Sequence, residues 1–294
     1  MGTRQRTAPG RTGKRADPLI HRLIKAGVRA VLMAFMIAMP ALFLSEHSAD
    51  QAQMVALLAL IAAMLTFVEY VGDYPSIIEF RDAPPFNRMR FLALFLTVLM
   101  LTLISRGETH PGMVAAVLEG IGRFVGDALD FPYSPVRLMC LLATGDMTPR
   151  EIELIRSHAG LSYLASLLTM GVFLLVVRVL NWPIRTGAFN FWVNLPLFDP
   201  TAGGDILYRL KRDAHVNVAL GFLLPFLIPA VMKMASAMID PLSLTDPQTL
   251  IWTMSAWAFL PASLIMRGVA LLCIADLIEE KRRRAYAQAE LQII

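Results

Sequence analysis

Residues 250–274 read LIWTMSAWAFLPASLIMRGVALLCI, with Arg267 the one charged side chain in the run. A helix crosses roughly 30 Å of hydrocarbon with about 20 residues, so this run is long enough to span a bilayer. Five more apolar runs precede it, at 27–44, 54–71, 91–104 (extended backwards by Met89), 161–180 and 216–238, and the third is the shortest. Over all 294 residues, 56% are apolar and 17% charged, and the mean hydropathy is +0.57. Soluble domains carry about 25% charged residues. The sequence therefore predicts an all-α polytopic integral membrane protein with six transmembrane helices. Three segments are expected: a basic, disordered tail over 1–20, rich in Arg, Gly, Thr and Pro; a six-helix membrane domain over 21–280; and a C-terminal tail over 281–294.

Lys and Arg in the connections set the expected orientation. The N-terminal region carries Arg4, Arg6, Arg11, Lys14, Arg15, Arg22 and Lys25. The 72–90 loop carries Arg81, Arg88 and Arg90; the 181–215 loop carries Arg185, Arg209, Lys211 and Arg212; and 281–284 is Lys-Arg-Arg-Arg. The loops 45–53 and 239–249 carry none, and the long 105–160 loop spreads Arg106, Arg123, Arg137, Arg150 and Arg156 over its length. Six spans with both termini inside place eighteen basic residues on the inner side and five outside. The expected location is a bacterial-type inner membrane. The start imitates a signal peptide, but its apolar run of about 18 residues exceeds the usual 7–15, so it is read as a retained span.

Within the long external loop, Val114, Val117, Ile121, Phe124, Val125 and Ala128 recur at helical spacing. They predict an amphipathic helix over 113–129, on the membrane surface or under neighbouring helices, weakened by Gly120, Gly122 and Gly126. Thr148-Pro149-Arg150-Glu151 is a capping box with proline at the first helical position, so a helix starts there and runs towards the fourth span, with Gly160 a candidate break. Phe189, Phe191, Trp192 and Phe198, with Trp182, read as an interfacial aromatic belt.

A charge at mid-membrane costs roughly 3 kcal/mol or more, so charges inside apolar runs are the first functional candidates. They are Glu69, Arg178, Lys233 and Arg267. Glu69, Arg178 and Arg267 share the cytoplasmic third, and depth makes Glu69 the expected partner of Arg267, with Asp73 next. The plain alternative is that each cation snorkels to the interface. Pro40, Pro225, Pro229 and Pro261 lie inside spans, each removing a backbone donor and predicting a bend. The 74–88 loop mixes Glu79, Phe80, Arg81, Asp82, Phe86 and Arg88 between prolines, a composition for an ordered loop that docks onto a partner or acts as a rigid connector.

No cofactor or metal is expected. Cys140 and Cys273 lie in different regions and form no CxxC pair. Met33, Met36 and Met39, like Met232, Met234 and Met238, cluster without His or Cys, so they read as core filler rather than Cu(I) ligands. His21, His47, His110, His158 and His215 avoid mid-span and offer no axial haem pair. Gly203-Gly204-Asp205 before a basic helix could cradle a phosphate, but a helix start is the simpler reading. Neither HExxH, GxSxG nor a Walker A loop is present. The expected partners are the lipid bilayer, anionic lipids at the basic tails and other membrane subunits, not nucleic acid. Three functions follow in order: a non-enzymatic subunit, scaffold or assembly factor of a membrane complex; a small transporter or channel; and a lipid-acting membrane enzyme using Glu69, Asp73, Glu79 or Asp82.

Overall fold

Hydrocarbon offers backbone N–H and C=O groups no partner, so a spanning chain must satisfy them within a helix. The computed structural model describes residues 18–44, 49–180, 182–183, 190–198, 205–236 and 243–293. Among these residues the chain is helical, with no strand. Six helices are long and apolar enough to cross a membrane: α1 (Pro18–Phe43), α2 (Ala49–Val71), α3 (Phe86–Gly107), α6 (Pro149–Leu180), α8 (Ile206–Ala235) and α9 (Pro247–Ile293). Three shorter ones, α4 (Met113–Leu129), α5 (Pro135–Cys140) and α7 (Phe191–Asn194), lie in the connections. The protein is an all-α, multi-pass membrane protein. Of the predicted tail, 18–20 belongs to α1; the rest lies outside the described residues.

The helices alternate in direction and give the bundle two ends. At the terminal face, Arg22 near the start of α1 meets Asp73 after α2 at 2.8 Å, and Arg282 late in α9 meets Asp205 before α8 at 3.0 Å. The far face holds α4 and α5. α9 is the most buried of the six spans and α3 packs beside it, whereas α2 packs mainly against α1. The core has a cluster for each half. Towards the far face Met39, Val98, Leu101, Ile155, Met254 and Trp257 are sealed from the surroundings. Towards the terminal face Phe80, Phe86, Phe173, Trp182 and Leu271 pack together.

Several local readings change with the tertiary structure. The third span is full-length, because α3 begins at Phe86. The capping box forms: the Glu151 carboxylate accepts from the Thr148 N–H at 2.6 Å, and Thr148 Oγ1 accepts from the Glu151 N–H at 3.3 Å. Gly160 breaks nothing. It is the contact point of α4 and α6, where a Cβ would lie 2.5 Å from the Gly126 nitrogen and 2.6 Å from the Gly122 oxygen. Gly122 and Gly126 therefore permit the close crossing rather than weakening α4. The outer face of α4 exposes Val114, Val117, Ile121 and Phe124. Nor do Pro225 and Pro229 interrupt α8. Pro229 withdraws the N–H that the Pro225 carbonyl would accept, and the Trp257 indole N–H donates to that carbonyl at 3.0 Å. The aromatic belt is partly internal: Trp182 and Phe198 are buried, and the Trp182 indole donates to the Pro84 carbonyl at 3.1 Å. Phe189 lies outside the described residues.

Candidate functional site: an arginine-lined chamber

The 72–85 loop folds back onto its own bundle. Glu69 ends α2 with its carboxylate accepting from the backbone N–H groups of Ser76, Ile77 and Ile78 at 3.0–3.1 Å and from the Ser76 hydroxyl. Arg81 runs the other way, donating to the carbonyls of Glu69 and Gly72 at 2.7 Å and of Asp73 at 3.0 Å. Phe80 adopts a left-handed backbone (φ 53°), which a non-glycine residue holds only when its surroundings enforce it. The enforcement is visible. Its ring is buried against Phe86 and Trp182, and its N–H donates to the Asn194 carbonyl at 2.6 Å.

This arrangement brings Glu79 to α9. Arg267 donates through Nε at 2.5 Å and through a terminal nitrogen at 2.7 Å to the two Glu79 oxygens. The pairing expected with Glu69 or Asp73 is thus corrected. Glu69 has the depth, but α2 packs on α1 and not beside α9, and its oxygens are spent on the loop. Asp73 pairs with Arg22 instead. The proposed layer of Glu69, Arg178 and Arg267 is also undone, because Arg178 is exposed in the last turn of α6. Lys233 is likewise exposed in the last turn of α8, and both fit snorkelling cations. Of the six loop residues read as partner-docking, Glu79, Phe80 and Phe86 are buried in the protein's own core. The Arg81 side chain is 7% exposed, while Asp82 and Arg88 face outward.

Beside the Glu79–Arg267 pair lies a chamber of about 1070 Å³ between α1, α2, α3, the loop and α9. Five arginines line it: Arg29, Arg81, Arg88, Arg90 and Arg267. Its carboxylates are Glu79 and Asp82. Arg29 lies 4.2 Å over the Tyr70 ring, a cation–π contact, and Arg90 lies 5.3 Å from the Phe86 ring centre and 6.0 Å from that of Phe259. The buried Arg90 Nε has no hydrogen-bond acceptor. The walls are Leu32, Met33, Met36, Phe91, Leu94 and Leu264. Arg29 and Arg90 escape a reading by runs. Arg29 is a charge inside the first apolar run, which is a usable signal, whereas Arg90 resembles a topology anchor until α3 is seen to start one turn before it.

The far face has its own charge cluster. Arg150 meets Glu108 at 2.5 Å, Glu119 at 2.6 Å and Glu153 at 3.3 Å. The hydrogen bond from Arg150 holds the Glu119 carboxyl below its ordinary pKa of 4.5. Buried between α3 and α6, the Ser105 hydroxyl lies 3.0 Å from His158 Nε2, and His158 Nδ1 lies 2.8 Å from the Leu154 carbonyl. Burial raises the Cys140 thiol to about 11, so it is not a reactive thiolate, and it is not disulfide-bonded. Among the described residues, no three His, Cys, Asp or Glu side chains converge as a metal site would require. Asp205 caps α8 by accepting from the Leu207 N–H at 3.2 Å, and Gly203 and Gly204 lie outside the described residues. Met36 and Met39 are core residues, and Met234 is exposed.

Compared with protein-family models, with curated proteins and with solved structures, the chain matches none.

Proposed function

We propose that the chain is a bacterial-type inner-membrane protein with both termini in the cytoplasm, working as a non-enzymatic subunit or scaffold of a membrane complex. The observation that carries this reading is the length of α9. Its 47 residues extend about 70 Å at 1.5 Å per residue, more than twice the hydrocarbon thickness. Residues 281–288 are all exposed and contribute nothing to the bundle core; Arg282 still meets Asp205 at 3.0 Å, and beyond it a charged helix stands off the terminal face. Of the four carboxylates a lipid-acting enzyme would use, three are engaged, Glu69 by loop N–H groups, Asp73 by Arg22 and Glu79 by Arg267, and Asp82 is largely exposed 3.7 Å from Arg81. The chamber is the feature that favours a transport reading. One turn deeper, however, Met39, Val98, Leu101 and Met254 close the bundle with exposures of 0%, which suits binding better than conduction.

Two experiments test the reading. Reporters fused after residues 85, 200 and 290 should read as internal, and those after 50 and 245 as external; an internal signal from residue 130 breaks the scheme. The protein isolated in mild detergent should carry a second chain in fixed stoichiometry. Deleting 282–293 should release that chain without lowering the melting temperature of the bundle. A chain that isolates alone, at its own mass, overturns the subunit reading.

A further inference from the structure

We propose that the arginine-lined chamber is a binding site for the phosphate headgroup of an anionic phospholipid drawn from the surrounding bilayer, with Arg90 as its buried phosphate-binding residue. The argument begins with charge. Of the five arginines, Arg267 is neutralised by both oxygens of Glu79, and Arg81 is engaged by three backbone carbonyls. Asp82, 3.7 Å from Arg81 and largely exposed, is the other lining carboxylate, so five cations face two anions. Arg29, Arg88 and Arg90 are left without a carboxylate partner among the described residues.

Arg90 is the costly one. Its Nε is buried with no acceptor, and its other neighbours are the rings of Phe86 and Phe259, the Glu79 carboxylate, whose two oxygens are already held by Arg267, and the like charge of Arg267 itself. A buried guanidinium that shares its one nearby carboxylate with a second arginine and leaves a donor unpaired is unfavourable, so a ligand supplying an anionic acceptor would relieve the site. A guanidinium presents a planar fork of donors that matches phosphate oxygens in pairs.

Apolarity completes the case. Met33, Met36, Leu94 and Leu264 line the chamber away from the cations, and its rim includes Leu32 and Leu92, both exposed. With Asp82 and Arg88 exposed on the other side, the rim has an apolar edge and a charged edge, as a site at the boundary of hydrocarbon and headgroups would. The volume exceeds what a phosphate ion needs and suits a headgroup with the first part of its acyl chains. This site is distinct from the basic tails, where Lys281 and Arg283 are exposed.

The test uses the full chain in detergent micelles, with melting followed by tryptophan fluorescence while phosphatidylglycerol, phosphatidylcholine or inorganic phosphate is added. A ligand that binds only the folded state raises the melting temperature in proportion to its occupancy. Phosphatidylglycerol should raise it at concentrations where phosphatidylcholine and inorganic phosphate do not. Arg90→Gln should weaken the phosphatidylglycerol response by about tenfold or more. The Arg29→Gln/Arg88→Gln double variant, altered only at accessible positions, should lose the preference over phosphatidylcholine; it carries the test should Arg90→Gln not fold. Lys281→Gln/Arg283→Gln should respond as wild type. Three results overturn the proposal: equal response to phosphatidylcholine, which makes the site apolar only; equal response to inorganic phosphate, which makes it a free-anion site; or loss of response in the tail variant with the chamber variants unaffected. None of these outcomes depends on whether a partner chain co-purifies.

Discussion

At the scale of single residues, the Arg267–Glu79 pair governs how the loop meets the bundle. Glu79 is 8% and Arg267 26% exposed at the side chain, so removing one partner strands the other in a largely dry site. Breaking such a pair costs about 3–5 kcal/mol when fully buried, and less here because Arg267 is partly open. Arg267→Leu and Glu79→Leu should each lower the melting temperature, and the double variant should regain part of the loss. Arg267→Leu combined with Glu69→Leu should regain nothing, since Glu69 serves the loop N–H groups of Ser76, Ile77 and Ile78. A thermal-melt comparison of these four variants in detergent decides between the two pairings. Recovery with Glu69→Leu would mean that depth in the membrane, and not the loop, selects the partner.

At the scale of elements, two contacts replace what the local sequence breaks. The Trp257 indole satisfies the carbonyl that Pro229 orphans on α8. Trp257→Phe leaves that carbonyl buried and unpaired, at a cost of about 1–3 kcal/mol. Pro229→Ala returns the helical N–H, so Trp257→Phe/Pro229→Ala should melt above Trp257→Phe alone. If the proline change does nothing in that background, the indole is packing rather than bonding. The second contact is the glycine crossing of α4 on α6. A methyl at residue 160 would meet the Gly126 and Gly122 backbones, which cannot rotate away. Gly160→Ala should therefore separate the two helices and cost about 1–3 kcal/mol, the usual range for overpacking. Faster proteolysis within 108–148 would report the separation; an unchanged cleavage rate and melting temperature would show that the helices adjust freely.

At the scale of the whole molecule, carboxylates paired with basic side chains tie both faces, and the far-face pair of Glu119 with Arg150 ties α4 to α6. Glu119 has its pKa lowered below 4.5 by the hydrogen bond and charge of Arg150. A carboxyl with a depressed folded pKa contributes stability that is present above its unfolded value and lost as pH falls through the folded one. The melting temperature should therefore hold from neutral pH down to about 4.5 and decline below it as Glu119 takes up a proton. Glu119→Gln should start lower at neutral pH and decline less. Parallel curves for the two proteins would remove Glu119 from the acid response.

What the sequence determined by itself was everything that depends on spacing along one chain. Long apolar runs require helices because hydrocarbon leaves backbone groups no other partner. The capping box and the amphipathic 113–129 helix are likewise short-range patterns, and both formed as their spacing implied. The tertiary structure decided which charges meet. Glu69 was legible as a charge in a span, yet its role depends on where the 72–85 chain turns. Glu79 looked like a loop residue, yet a buried core of Phe80, Phe86 and Trp182 carries it to α9. Glycines and prolines that look like defects in one helix became contacts when a second helix arrived, at Gly160 with α4 and at Pro225 with Trp257. The chamber exists only between elements far apart in sequence. Arg29, Arg90 and Arg267 face the same space because α1, α3 and α9 pack around it, and no periodicity along the chain encodes that convergence.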